Sequence, residues 1–373
     1  MKKVLFVATV VKTHIMEFHI PYLKLLKEMG WETAVAARND YDNELDCNIP
    51  YCDHYYDICF ERSPVHINNA LAYLKLKKVI EHGSFDVVHC HTPVGAGITR
   101  IVAKNMHQRK PVIIYTAHGF HFYKGAPVFN WAVFFPIERW LSKYTDIIVT
   151  INQEDYANAL RFHRSKVVYS PGVGVNIKRF RDTIVDVSAV RNSLGLSNQT
   201  IIVLSVGEIN NNKNQETVIK ALARIDNQNI VYVICGQGKN RKKCEQLAKK
   251  MGLREKVIFT GYRTDTEKLY KSADIFVFPS RREGLGLAAI EAMAAGLPLI
   301  TTNSGGIKEY SVDGLTGIVV SPDDEEQIAQ AIKKLSMEPQ LRLRMGMTNI
   351  SIAEQFDINL ALKVFRSIYE GVE

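Results

Sequence analysis

The 373-residue chain contains no run of about 18 or more apolar residues, which excludes an ordinary membrane-spanning helix. It has no Cys-x-x-Cys pair. Its six cysteines, Cys47, Cys52, Cys59, Cys90, Cys235 and Cys244, fall at spacings that match no common zinc pattern and read as free thiols of a reducing cytoplasm. No Gly-x-Gly-x-x-Gly follows any apolar run, so a dinucleotide cofactor is unsupported and no cofactor is expected. Metal dependence is not indicated, and no residue is named as a metal ligand. Internal repeats and low-complexity tracts are lacking too. Past residue 180 there is neither histidine nor tryptophan: all eleven histidines and all three tryptophans come earlier.

What is present describes a soluble globular protein, 46% hydrophobic and 23% charged, long enough for two domains with separate cores. The opening MKKVLFVATVVKTH has a basic end and an apolar run, but the run is short and no small-residue cleavage site follows; it reads as a first buried strand, and the expected location is cytoplasmic. The net charge of +8 is uneven. Through Phe180 there are 22 Lys and Arg against 16 Asp and Glu, a balance of +6; the remainder has 25 against 23, or +2. A positive first half suits an anionic partner such as acidic lipid or a polyprenyl pyrophosphate. Nucleic acid is set aside, since no binding motif or basic tract accompanies the charge.

Apolar strand-like runs alternate with helix-like segments throughout, the pattern of parallel sheets covered by helices. In the first half the runs begin at Lys3, Thr33, Asp86, Pro111, Asp146 and Lys166; in the second, at Ile201, Asn229, Lys256, Asp274 and Leu297. The expected fold is α/β, two doubly wound domains in series facing across a cleft. Residues 1–180 form the first, 181–198 a polar linker and 199–350 the second. Ligands in such folds gather at the C-terminal ends of the strands.

The densest chemistry lies in PSRREGLGLAAIEAMAAGLP, Pro279–Pro298. Pro279 and Ser280 end a strand, Gly284 and Gly286 loosen the backbone, and the following alanine-rich stretch reads as a helix stopped by Gly296 and Pro298. Free N–H groups at a helix start attract anions, and glycines let a phosphate approach the backbone. Glu283 in the loop can accept hydrogen bonds from sugar hydroxyls, and Glu291, two turns on, can reach a ribose diol. The arrangement suits a nucleoside diphosphate carrying a sugar. For each glutamate alone, a solvated surface group is the simpler reading. A loop after another run, SVGEINNNKN, carries Lys213 to a helix start, where a lysine can sit on a diphosphate as a point charge.

These residues resemble the Glu-x7-Glu signature of retaining GT-B glycosyltransferases (glycosyltransferase family 4), and TTNSGGIKEYSVDGLTGIVVSPDD, Thr301–Asp324, matches that family's continuation. The resemblance covers essentially the whole chain, strongly after Ile201. It implies a GT-B fold of two Rossmann-like domains, with residues 351–373 a helix crossing back to the first. The donor, a UDP-sugar, is implied to lie against Gly207, Lys213, Gly236, Tyr262, Arg263, Arg282, Glu283, Gly284, Leu285, Gly286, Leu287 and Glu291. The nucleobase is implied near Tyr262 and Arg263. The family usually has an arginine directly after Gly207; here it is Glu208, so the second cation on the diphosphate is open between Arg282 and Arg263.

TAHGFHFYKG, Thr116–Gly125, follows a strand, and His118 resembles the family's cleft histidine, able to donate to the leaving diphosphate or a donor hydroxyl. The catalytic residues implied are His118, Glu283 and Lys213. The first loop departs from the family's paired glycines and has Lys12, Thr13 and His14, which with His121 read as acceptor-binding; mere exposure is the plainer alternative. The stretch Ala126–Tyr144 is rich in Phe and Trp and reads either as a core helix or as a peripheral contact with the inner membrane leaflet. The resemblance implies transfer, with retention, of a hexose or N-acetylhexosamine to a polyprenyl-diphosphate-linked saccharide or similar glycan. Capsule, exopolysaccharide and lipid-linked oligosaccharide synthesis are the settings it suggests. The competing readings are a sugar-nucleotide epimerase or phosphorylase on the same scaffold, or a sugar-nucleotide-binding protein without catalysis.

Overall fold

The computed structural model describes residues 1–106, 110–162 and 164–372. The chain divides into two compact units, Met1–Val173 joined by Asn359–Glu373, and Gly174–Ile358. The first is built on strands β1 (Lys3–Val10), β2 (Glu32–Arg38), β3 (His54–Asp57), β4 (Val87–Cys90), β5 (Val112–Ala117), β6 (Ile147–Thr150) and β7 (Lys166–Tyr169). They form one seven-stranded sheet in the order β3-β2-β1-β4-β5-β6-β7, every pair parallel. β1 is apolar almost end to end because helices cover both of its faces.

The two faces use alternate side chains. Leu5, Val7, Val88, Cys90 and Ile113 join a core with Leu76 and Ile80 of helix Asn68–Gly83 and Val102 of helix Pro93–Lys104. Phe6 and His89 turn to the other side, where the final helix, Ile358–Glu370, covers the sheet. Phe365 packs edge-on against Tyr22 with ring centroids 4.7 Å apart, and Tyr369 Oη lies 2.7 Å from His89 Nδ1.

The second unit carries β8 (Ile201–Val206), β9 (Ile230–Cys235), β10 (Val257–Gly261), β11 (Ile275–Phe278), β12 (Leu299–Thr302) and β13 (Gly317–Val320), in the order β10-β9-β8-β11-β12-β13, again all parallel. Its core joins Val203, Ile234, Val277 and Ile300 to apolar side chains of helices Gln215–Leu222 and Glu325–Met337. The segment expected to link the domains, 181–198, holds helix Val187–Ser193. Its Arg191 is buried and donates to the carbonyls of Ser272, Asn198 and Thr200 and to Asp274 Oδ2. Helix Pro339–Ala353 runs through the expected boundary at residue 350 and packs within this unit, so the chain changes unit at Ile358 instead. In each sheet the order reverses beside its first strand, at β1/β4 and at β8/β11, the point where loops leaving the strand ends of such a sheet can hold a ligand.

Candidate active site

In the second unit, the loops after β8 and β11 meet at the sheet's reversal point. Lys213 Nζ lies 2.9 Å from Glu283 Oε1 and 4.6 Å from the centroid of the Phe278 ring. Both charged groups are largely buried. Asn212 fastens the loops together: its Nδ2 donates to the Arg282 carbonyl at 2.8 Å, and its own carbonyl accepts from Arg281 N at 2.8 Å. The chain at Gly236, after β9, lies so close to Gly207 that a Cβ there would stand 2.0 Å from the Gly207 carbonyl oxygen, at a φ of +147°. Gly306, in the turn after β12, donates its N–H to the Glu283 carbonyl at 2.9 Å, and a Cβ on it would stand 2.0 Å from the Gly284 oxygen. Four strand ends are thereby packed backbone to backbone around the Lys213–Glu283 pair.

Helix Leu287–Ala294 begins here at Gly286, in the left-handed conformation, with no side chain capping it. Its first N–H groups point toward the loop that holds Glu283. Leu285 is buried beneath, and Tyr310 Oη donates to its carbonyl at 2.9 Å.

Glu291 is set apart from Glu283: its Oε2 accepts from the Tyr270 hydroxyl at 2.8 Å. Tyr262 is exposed, and Arg263 is held by both oxygens of Asp265 at 2.9 and 2.8 Å. Arg282 is half-buried beside Glu283, while its neighbour Arg281 pairs with Asp323. Glu208 is exposed. The structure thus brings Gly207, Lys213, Gly236, Arg282, Glu283, Gly284, Gly286 and Leu287 to one end of the sheet. Tyr270, Asn212, Phe278 and Tyr310 were not singled out from the sequence. Tyr270 and Tyr310 are distant in the chain from the groups they bond, the Glu291 carboxylate and the Leu285 carbonyl, and carry no local motif.

In the first unit, the reversal point gathers histidines. His14 and His19 follow β1, His91 follows β4 and His118 follows β5. His14 Nε2 and His19 Nε2 are 3.2 Å apart, and His118 Nε2 and His91 Nδ1 3.3 Å. Burial pushes His118 down to about 4 and His14, His19 and His91 well below the usual histidine range, the latter three further lowered by neighbouring imidazoles. All four rings are neutral at pH 7. Beside them, Thr92 holds a φ of +62° that residues with side chains rarely adopt, fixed by a 2.7 Å contact between its hydroxyl and that of Thr9.

Next to the histidines lies an apolar cavity of about 600 Å³, lined by Thr13, His14, Ile98, Phe120, His121 and Trp140 among others. Arg62 and Glu138, which sequence reasoning passed over, also line it. Glu138 is held by the buried Arg100 at 2.7 and 3.2 Å. Lys12 is directed elsewhere: Asp40 accepts from the backbone N–H groups of Lys12 and Thr13, and Lys12 Nζ lies 3.6 Å from Asp42. Two acidic residues across the loop thus offset the cation expected there. The aromatic stretch divides between its two readings. In helix Val128–Leu141, Trp131, Phe134 and Phe135 pack on the core, while Val128 and Phe129 are 83% and 66% exposed. Among the described residues no helix is long and apolar enough to cross a membrane.

Known proteins agree with this architecture. Residues 186–350 match the family described as glycosyl transferases group 1, and residues 3–152 match glycosyl transferase 4-like. EpsD of Bacillus subtilis (strain 168), whose name carries a glycosyltransferase assignment, is 37% identical over 99% of this chain and 97% of its own. A UDP-Gal:alpha-D-GlcNAc-diphosphoundecaprenol alpha-1,3-galactosyltransferase of Escherichia coli is 24% identical over 81% of this chain and 80% of its own. The fold is shared with Anabaena HepE, solved with UDP and glucose, at a TM-score of 0.81, 17% identity and coverage of 99% and 100%. It is shared as well with WaaG, a glycosyltransferase of lipopolysaccharide biosynthesis, at 0.78, 20% identity and coverage of 99% and 100%.

Proposed function

The chain belongs to the group 1 glycosyltransferases and has their GT-B fold; from that premise we propose that it moves a hexose or N-acetylhexosamine from a UDP-sugar to a hydroxyl of a polyprenyl-diphosphate-linked saccharide, with retention. The observation that carries this reading is the Lys213–Glu283 pair at the reversal point of the second sheet. Each member is the other's partner until a donor arrives. The diphosphate then takes Lys213 and the N–H groups at Leu287, and hydroxyls of the sugar donate to the carboxylate of Glu283. Glu291, steadied by Tyr270, accepts from the ribose diol. Arg282, beside Glu283, supplies the second cation that Glu208 cannot.

Breaking the sugar–phosphate bond builds charge on the departing UDP and on the sugar carbon. Fixed donors on the phosphate and a carboxylate near the ring stabilise both without solvent reorganisation. His118, kept neutral by burial, serves the transfer as a hydrogen-bond donor rather than as a charge. The apolar cavity of the first unit suits the lipid-proximal part of an acceptor, and its exposed neighbours Val128 and Phe129 suit peripheral contact with the cytoplasmic leaflet. The relative that acts on a diphosphoundecaprenol-linked sugar supports this acceptor class.

A UDP-release screen across UDP-hexoses and UDP-N-acetylhexosamines, with and without a polyprenyl-diphosphate sugar, tests the reading. Release is expected with one donor class and only when acceptor is present. Glu283→Gln is expected to lower kcat/KM by about 100-fold or more. Full activity of that variant overturns the assignment. Interconversion of the sugar without acceptor points instead to an epimerase, and UDP binding without release to a non-catalytic protein.

A further inference from the structure

Three separate loops of the first unit send four histidines to one point. We propose that His14, His19, His91 and His118 form a binding site for a divalent transition-metal ion of the imidazole-preferring class, Zn²⁺ foremost. One ring nitrogen from each lies within 4.8 Å of the others. Two of the separations are 3.2 and 3.3 Å. A Zn–N bond of about 2.0–2.1 Å sets tetrahedral ligands about 3.3–3.4 Å apart. Those two pairs therefore already stand at the edge length of an N₄ shell. The widest separation, at most 4.8 Å, closes by no more than about 1.5 Å on binding.

His19 Nδ1 and His91 Nε2, on the ring edges turned away from these contacts, have no partner among the described residues and are the nitrogens that would carry the protons when the facing ones ligate. The two contacts between rings engage one nitrogen of each and leave the other side of His19 and His91 unsatisfied. The His19 and His91 rings pack with centroids 3.9 Å apart.

The donor set is selective. Four nitrogens and no oxygen disfavour Mg²⁺ and Ca²⁺ and favour Zn²⁺, Co²⁺, Ni²⁺ or Cu²⁺. No carboxylate belongs to the group, so a bound ion keeps its charge unless water or an anion completes the shell. His14 and His118 are on the partly exposed side and His19 and His91 on the buried one, which gives both the ion and such a ligand a way in. An ion on His118 Nε2 leaves its proton on Nδ1 and fixes the tautomer. This inference stands on the geometry of the first unit alone and does not depend on the donor or acceptor proposed above.

The test uses the full chain, purified without a histidine tag or metal column, stripped with a chelator and titrated with Zn²⁺ or Co²⁺. We expect one equivalent retained through gel filtration, a d–d absorption of the Co²⁺ form with the intensity of a tetrahedral nitrogen shell, and a raised Tm. His91→Gln is expected to weaken Zn²⁺ binding at least tenfold. Because His91 is buried, His14→Ala, on the exposed side, is run in parallel, with the denaturant unfolding of its metal-free form as a check on folding; it too should weaken Zn²⁺ binding at least tenfold. Wild-type protein that retains no Co²⁺ or Zn²⁺ overturns the site. So does binding that is unchanged in His14→Ala, since the metal then sits on other surface groups.

Discussion

Single residues decide the proposed donor end of the second sheet by how closely they let backbones approach. Gly236 and Gly207 touch through their main chains, and the Lys213 side chain runs over Gly207, its Cε 3.5 Å from the position a Cβ would take. A methyl at Gly236 meets a carbonyl oxygen that cannot swing aside, and it also places a side chain at a positive φ. Gly236→Ala is therefore expected to destabilise the protein by about 1–3 kcal/mol and to weaken UDP binding at least tenfold, as the loop carrying Lys213 is pushed away. Thermal melts and calorimetric titration with UDP check both parts. Unchanged UDP affinity together with a lowered Tm would separate the fold of these loops from the donor site.

At the scale of one element, helix Val128–Leu141 is informative because its faces differ. Trp131, Phe134 and Phe135 hold it to the core, and the buried pair of Arg100 with Glu138 ties it to helix Pro93–Lys104. Its start projects Val128 and Phe129 into solvent. Fully burying side chains of this size is worth about 1.5–3 kcal/mol each. If the helix start dips into a bilayer, replacing both with serine should reduce binding to anionic phospholipid vesicles at least tenfold. Away from the core, such surface changes alter stability by only about 0.5 kcal/mol, so Tm should scarcely move. Equal vesicle binding by the double variant removes this element from the membrane-contact reading.

For the whole molecule, the final helix matters most. It leaves the second unit at Ile358 and completes the first, placing Phe365 against Tyr22 and Tyr369 against His89. Residues 1–173 alone lack that cover over one face of their sheet. Phe365→Ala should cost the first unit about 3–5 kcal/mol, read by denaturant unfolding, while UDP binding by the second unit is unchanged. A chain ending at Ile358 should lose cooperative unfolding of the first unit.

Sequence alone was enough for the class of fold, because a strand covered on both sides has to be apolar throughout, and eleven such runs separated by helical segments leave few other architectures. The short strands β3 and β13 did not stand out; β3 is a polar edge strand, HYYD, and β13 only four residues long. The Glu283 loop and Lys213 were legible too, since glycines, a strand end and a helix start lie side by side in the chain. What the tertiary structure alone decided is which charges meet. It set Lys213 on Glu283, gave Glu291 to Tyr270, Arg263 to Asp265 and the Lys12 loop to Asp40 and Asp42. It also gathered His14, His19, His91 and His118, which no spacing in the sequence links, because β1, β4 and β5 are neighbours in the sheet though far apart along the chain. Local chemistry is written in consecutive residues; partnership between distant side chains depends on strand order, which only folding sets.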